Sequence, residues 1–330
     1  MTGGAGYIGA HVVRLLQQRG DHVVVVDDLV TGIAERVGSA PVVQLDLVAD
    51  AAPLAVENLL REHRVDTVIH LAARKQAGES VERAAWYYQQ NIGALSTVLL
   101  AMEAAGVEQL VFSSSAAVYG QAAGELHEDS PTLPLNPYGE TKLAGEWLVA
   151  AATRAFPLRA SSLRYFNVAG AGWPELGDRA ALNLVPMVFE RLDAGQAPLI
   201  FGDDYETADG TCVRDYIHVL DLALAHLAAV DGLAGREQPH RVYNVGGGTG
   251  SSVRAVVGEI LSVTGSALQP EVRERRVGDP AVSIAIPSRI REELGWAATH
   301  SLADIIRSAW DSHEHFAREG DAGGTGATGV

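Results

Sequence analysis

The chain has 330 residues, nearly half of them apolar and a fifth charged, which describes an ordinary globular protein of one large or two intimately joined domains. Its formal net charge of −16 lacks the basic footprint by which a nucleic-acid binder displaces counterions, so that class is excluded. No apolar run is long enough to span a bilayer and no N-terminal targeting pattern appears, while a single cysteine, Cys212, permits no internal disulfide and suits a reducing cytoplasm.

Taken in chain order, the first half alternates two periodicities. Tyr7 to Arg19 carries apolar residues at helical spacing (Ile8, Val12, Leu15, Leu16). His22 to Val26 is a short β-branched run ending in Asp27 and Asp28, and Val42 to Leu45 is another, ending in Asp46. Leu54 to His63 reads as helix, Asp66 to Leu71 as strand, Ser80 to Ala105 as helix, Gln109 to Ser113 as strand and Pro137 to Ala155 as a long helix. Short, almost wholly apolar strands separated by helices predict a parallel sheet covered on both faces, with ligands at the carboxyl ends of its strands. The expected fold class is α/β, a Rossmann-type doubly wound sheet over residues 1–166. Residues 167–318 are expected to form a smaller α/β substrate-binding part, with a segment near 241–245 returning to the sheet. The Gly- and Ala-rich tail, 319–330, is expected to be disordered.

The run Thr2 to Gly9 fits both G-x-x-G-x-x-G, through Gly3, Gly6 and Gly9, and G-x-G-x-x-G. Glycines let the backbone turn tightly against a pyrophosphate, and the helix that follows points its first N–H groups, from Tyr7 and Ile8 onward, at that anion. Such loops alone are common. Here a helix and a strand follow, and Asp27 stands eighteen residues past Gly9. An acid there accepts hydrogen bonds from ribose hydroxyls and repels a 2′-phosphate, so NAD is preferred over NADP. No residues precede the loop to form the strand that this fold places at the centre of its sheet. The expectation is therefore a sheet with its first strand missing, poorly stable or weak in holding NAD against a typical margin of ~5–15 kcal/mol.

Tyr138 and Lys142, at i and i+4 on one helix face, form a candidate catalytic pair. An adjacent ammonium favours the phenolate and makes Tyr a general base nearer neutrality. Ser115, at the end of a strand, can share a hydrogen bond with Tyr138 at a substrate hydroxyl. Tyr-x-x-x-Lys by itself is usually two solvated residues; its order after the Gly loop, Asp27 and Ser115 is far more specific. The eleven His residues show no metal-ligand spacing, and His70 and His218 read as structural.

With these residues in view, the chain resembles the extended short-chain dehydrogenase/reductases, the NAD-dependent epimerase/dehydratase family, and within it the UDP-glucose 4-epimerase branch. The resemblance runs from Thr2 to about Trp310. It rests on Thr2 to Gly9, His70 to Lys75, Gly78 to Val81, Ser113 to Gly120, Pro137 to Lys142, Leu163 to Asn167, Asn183-Leu184 and Val213 to His218. It implies that Asp46 and Leu47 flank the adenine, that Lys75 reaches the cofactor phosphates, and that Tyr165 and Phe166 border the nicotinamide. It also implies that Asn167, Asn183 and Leu184 hold a UDP-sugar, that Leu199, Ile200 and Phe201 pack on the uracil, that Arg214 and Arg276 pair with the diphosphate, and that Asp279 binds the uridine ribose. Arg275 competes with Arg276 for its role. Homodimerisation is likewise implied.

The implied reaction is transient oxidation at sugar C4, interconverting UDP-galactose and UDP-glucose. The dehydratase branch needs an acid pair after the Ser, where this chain has Ala116 and Ala117. The stretch Gly278 to Ile286 departs from the family and is one residue short. It places small Val282 or Ser283 where a bulky residue restricts some relatives to plain hexoses, so UDP-N-acetylglucosamine becomes a candidate substrate. UDP-glucuronate and UDP-pentoses share the same machinery. A catalytically weak NAD-binding remnant is the alternative that a missing strand would favour.

Overall fold

The computed structural model describes residues 1–122, 124–276 and 278–324. Its elements in chain order are α1 (Tyr7–Arg19), β1 (Val25–Asp27), β2 (Val42–Gln44), α2 (Ala52–Glu62), β3 (Thr67–His70), α3 (Ala77–Glu82), α4 (Ala84–Ala105), β4 (Gln109–Ser115), β5 (Gly124–Leu126), α5 (Pro137–Ala155), β6 (Arg159–Tyr165) and β7 (Asn167–Ala169). They continue with α6 (Leu184–Asp193), β8 (Leu199–Phe201), β9 (Val213–His218), α7 (Val219–Asp231), β10 (His240–Val245), β11 (Gly250–Ser252), α8 (Val253–Thr264), β12 (Glu271–Arg273), β13 (Val282–Ala285), α9 (Ser288–Leu294) and α10 (Leu302–Gly324).

The main sheet is parallel. β1 pairs with β2, and β3, β4, β6 and β10 follow one another side by side. Side chains alternate across it, as the two-residue strand period requires. Leu110, Phe112 and Ala160 meet Val56 and Leu60 of α2, Leu95, Val98 and Met102 of α4, and Val149 of α5 on one face. Val111, Leu163 and Tyr243 meet Val12 and Leu16 of α1, Leu222, Ala225 and Ala229 of α7, and Ile290 of α9 on the other. The chain thus re-enters the main body with α7 and α9 as well as β10.

The place where the first strand was expected to be missing is held by a stub. Thr2 bridges in parallel to Val26 of β1 and to His70 of β3. The Val26 and Gly3 N–H groups donate to Met1 O and Val26 O at 2.8 and 2.9 Å, and those of Thr2 and Leu71 donate to Ile69 O and Thr2 O at 3.0 and 3.1 Å. Three residues therefore join the two halves of the sheet at its carboxyl edge, where the Gly loop leaves. The stub reaches no further back than Val24, whose carbonyl takes the Met1 ammonium at 2.7 Å. The strand read from His22 begins at Val25.

Three further expectations are revised. The helix read as Ser80 to Ala105 is two helices, broken at Arg83 (φ −128°, ψ 42°). The Tyr87 hydroxyl staples them by donating to Glu79 Oε2 at 2.8 Å and accepting from Gln76 N at 3.1 Å. Gly124–Leu126, inside the first half, forms β5 and pairs with β13 in a second sheet ordered β11-β9-β13-β5, with β7 beside β9. Residues 319–324 of the supposed disordered tail belong to α10; positions 325–330 lie outside the described residues. A third core of Val188, Phe189, Ile200, Val256, Ile260 and Ile306 ties α6, α8 and α10 around β8. Among the described residues no helix is long and apolar enough to cross a membrane.

Candidate active site

The Gly loop leaves the sheet between β1 and β3. A Cβ on Gly9 would lie 2.2 Å from Gly3 O, and one on Gly3 (φ +68°) 2.6 Å from Ala72 N, so both must be glycine for the loop to close. A Cβ on Gly6 would meet nothing nearer than Gly3 O at 3.5 Å, which leaves an open cradle at the helix N-terminus. Asp27 is buried, and its two oxygens accept Ala5 N and Leu29 N, each at 3.0 Å. Burial raises its pKa, against the pull of those two N–H groups. A carboxylate has about four acceptor sites, so two remain for ribose hydroxyls. The cradle and this carboxylate fit a dinucleotide.

The other expected cofactor positions divide. Tyr7 turns its side chain away, its hydroxyl donating to Gly170 O at 2.6 Å, so only its backbone faces the cradle. Ile8 packs into the second core and Leu47 is buried in the first. Asp46 is exposed and accepts Val48 N at 3.1 Å. Lys75 is exposed in the loop after β3. The sequence reading missed Asn91, buried in α4. It accepts from Arg74 N at 2.8 Å and donates to Arg74 O at 3.0 Å and Thr141 Oγ1 at 2.9 Å, tying the Lys75 loop to α5. Gln89 and Gln90 precede it in the same helix, so no sequence signal singles it out.

The three candidate catalytic residues converge at the carboxyl end of β4. Asn136 caps α5, accepting Gly139 N at 2.9 Å, and Pro137 takes the first position. This starts the helix so that Tyr138 lies in its first turn and Lys142 one turn on. Ser115 ends β4 opposite Tyr165 of β6, and its Oγ accepts Ala117 N at 3.1 Å. Lys142 is 4% exposed, donates to Ser113 O at 2.7 Å, and lies 5.9 Å from the Tyr138 ring centre. Burial pushes its pKa down to about 7. The Tyr138 phenol is raised by burial, with the Ser115 hydroxyl pulling the other way. The expected lowering by an adjacent ammonium is not met in this geometry, because burial of the phenol dominates and only the Ser115 hydroxyl opposes it. Tyr165 donates to His226 Nε2 at 2.5 Å, since Nδ1 of that ring is held to Leu222 O at 2.9 Å. Phe166 is buried against Tyr119.

The expected substrate residues gather around β8, β9 and the loop before β13. The Arg214 guanidinium donates to Pro280 O at 2.7 Å and stands 3.7 Å from Asp279. Arg276 lies 4.1 Å over the Phe201 ring and has no ion-pair partner among the described residues. Arg275 pairs with Asp204 and lies over the Tyr205 ring. Leu199 and Phe201 share one face of β8; the Ile200 side chain is fully buried in the third core and cannot pack on a base. Asn167 is exposed, its amide donating to Asp215 O at 3.2 Å. Asn183 precedes α6 and donates to Asp178 Oδ2 at 3.1 Å, with Leu184 against the third core.

Asp215 was also missed. Fully buried, it accepts Gly247 N at 2.6 Å, Gly248 N at 2.9 Å and Ala285 N at 3.0 Å, and so holds β9 against β13. Burial raises it to about 6, the three N–H groups opposing. A cavity of about 240 Å³ between α6, α10 and the loop after β7 is lined by none of Ser115, Tyr138 or Lys142.

Residues 1–246 match the family described as the NAD dependent epimerase/dehydratase family. A UDP-glucose 4-epimerase of Corynebacterium glutamicum is 42% identical over 94% of this chain and 94% of its own length. One of Azospirillum brasilense is 43% identical over 94% and 90%. The crystal structure of a UDP-glucose-4-epimerase from Stenotrophomonas maltophila, with bound NAD and formylated UDP-arabinopyranose, is similar with a TM-score of 0.89 at 40% identity, covering 96% of this chain and 98% of that one. The chain belongs to the NAD dependent epimerase/dehydratase family.

Proposed function

We propose that this protein is an NAD-dependent UDP-sugar 4-epimerase that interconverts UDP-galactose and UDP-glucose. The observation that carries the reading is the convergence of Ser115, Tyr138 and Lys142 beside the Gly-loop cradle. The relatives of about 40% identity over nearly the whole chain support it. Residues 1–166 supply the cofactor site and 167–318 most of the sugar-nucleotide site.

Bound NAD supplies the hydride acceptor and donor at sugar C4, and its positive ring favours the phenolate. Gly3, Gly6, Gly9 and the Tyr7 and Ile8 backbone receive its pyrophosphate, Asp27 its ribose hydroxyls, and Lys75 its phosphates. Asp46 and Leu47 flank its adenine, and Tyr165 and Phe166 back the nicotinamide end. Tyr138 Oη takes the proton of the sugar 4-hydroxyl, with Ser115 Oγ sharing the hydrogen bond, and returns it after the keto sugar has turned its other face. Lys142 holds the cofactor ribose. Arg214 and Arg276 grip the diphosphate, the local positive charge that a chain of net −16 must gather there. Phe201 and Leu199 lie against the base, Asp279 binds its ribose, and Asn167, Asn183 and Leu184 border the sugar nucleotide. Remote binding through the UDP retains the intermediate while the ring stays free to rotate.

A broader sugar range is the second reading. Ser283 stands beside Arg214 in the β13–β9 register, and this small residue favours acceptance of UDP-N-acetylglucosamine. The partner is a second copy of the chain, docked through α4 and α5, where Leu100 and Trp147 are 55% and 66% exposed. The cytoplasm is the proposed compartment, in keeping with the one free cysteine. Incubation with UDP-galactose is expected to yield UDP-glucose with no net NADH. Binding of NAD without any interconversion would leave a remnant protein and defeat the proposal.

A further inference from the structure

Two charged residues rise from the strands that flank the Gly loop. Asp28 is the first residue beyond β1, and Arg74 is four residues beyond β3. Across the carboxyl edge of the sheet, Arg74 Nη2 meets Asp28 Oδ2 at 2.6 Å, with 22% and 28% of the two side chains exposed. Both arms are held in advance. Asp28 Oδ1 accepts Val30 N at 3.0 Å, which leaves Oδ2 for the arginine. Arg74 has its own N–H and C=O fixed by the Asn91 carboxamide. Its guanidinium lies 5.5 Å from the centre of the Trp86 ring, and the same ring is stacked 3.6 Å from Arg83, which is paired with Glu79 at 2.9 Å.

β1 and β3 are already joined through the stub, so this ion pair is not needed to hold the sheet together. It joins the segments that leave the two strands between which the Gly loop starts. The neighbouring cation, Lys75, is exposed and has no ion-pair partner among the described residues, so it remains open to a ligand's anions. The charge of Arg74 is instead consumed by Asp28. We infer that Asp28 and Arg74 form a clasp across the cofactor crevice that must open for a dinucleotide to leave, so that the pair sets the cofactor's residence time. The inference rests on the cofactor assignment above and deepens it. Arg74 and Asp28 are positioning residues that act by closing the crevice.

The test is the rate at which NAD leaves the preloaded full-length protein, chased with excess NADH and read by transfer from tryptophan. Asp28→Asn and Arg74→Met should each release NAD about three- to tenfold faster than wild type, the scale of one half-buried ion pair. Salt should speed release from wild type more than from either variant, because only wild type has the pair to screen. Arg74→Lys, which keeps the charge without the planar fork, should fall between. Circular dichroism and melting curves confirm that each variant is folded. Release at the wild-type rate from both variants overturns the clasp. So does faster release from Arg74→Met alone, which would make Arg74 a direct ligand contact. Failure of wild type to take up NAD at all would strike the proposed function itself, a different result from either.

Discussion

Helix α5 buries two charged side chains one turn apart, and they are treated in opposite ways. Glu146, 4% exposed, accepts two bonds from Arg164 at 2.9 and 2.7 Å and a third from Ser114 Oγ at 2.5 Å. Arg164 Nη1 donates to the Tyr119 hydroxyl and to Glu128 O, each at 2.9 Å. Burial works against its charge, but Glu146 outweighs burial and holds its pKa above the ordinary value. Lys142, equally buried, has one carbonyl and no counter-charge, and is pushed down to about 7. The first group is a closed network that fixes β4, β6 and α5 relative to one another. The second is left short of partners, as the proposed contact with a cofactor ribose requires. Unsatisfied burial beside a satisfied network is how one helix separates binding chemistry from scaffolding.

The contrast can be broken most forcefully at the base. Tyr138→Phe should lower kcat by about 10²- to 10⁴-fold, the worth of a positioned general base, and leave the melting curve near that of wild type; a coupled UDP-glucose assay checks it. In the closed network the effect should fall on stability instead. Arg164→Met leaves Glu146 buried and unpaired and should cost about 3–5 kcal/mol in urea unfolding. Adding Glu146→Leu to that variant should recover much of the loss, because the stranded charge is then gone.

Lys142→Met sharpens the comparison through pH. The folded pKa near 7 lies below the unfolded value of about 10.4, so the unfolded chain holds the extra proton between those limits. The stability lost to burying Lys142 is therefore full below about pH 7 and shrinks as pH rises toward 10.4. The variant should melt higher than wild type at about pH 6, by on the order of 1–3 kcal/mol, and the gap should close toward pH 10 even as activity falls. A variant less stable than wild type at pH 6 would show that the Ser113 bond, and not desolvation, dominates. The smallest effect concerns the stub. The Met1 ammonium is also buried on a single carbonyl and is pushed down to about 5. Three β-branched residues added ahead of it should replace that desolvated amine with a peptide N–H, lengthen the ladder beside β1 and β3, and raise stability by about 1 kcal/mol, read as a higher melting temperature with and without NAD.

Much of this arrangement was legible in the sequence because it is local. The period of Tyr7 to Arg19, the Asn136-Pro137 start of α5 and the i, i+4 spacing of Tyr138 and Lys142 are written in adjacent residues. Other features depend on distant partners. Asp28 and Arg74 are 46 positions apart, and Asp215 binds Gly247 and Ala285. Gly124–Leu126 becomes a strand only because β13 arrives beside it. Ile200 reads as one of three equivalent apolar residues until the third core claims alternate positions of β8. The sequence reading also assigned the Tyr138–Lys142 pair by contact alone, whereas burial of both groups decides the direction of their shifts.

The central claim is that hydride leaves C4 and returns to C4 within one crevice, with Tyr138 moving only the hydroxyl proton. UDP-galactose carrying deuterium at C4, converted in ordinary water, tests it directly. The account predicts UDP-glucose that retains the deuterium at C4. Product with hydrogen from solvent at C4 would mean that the C4–H bond is broken as a proton, and would contradict it.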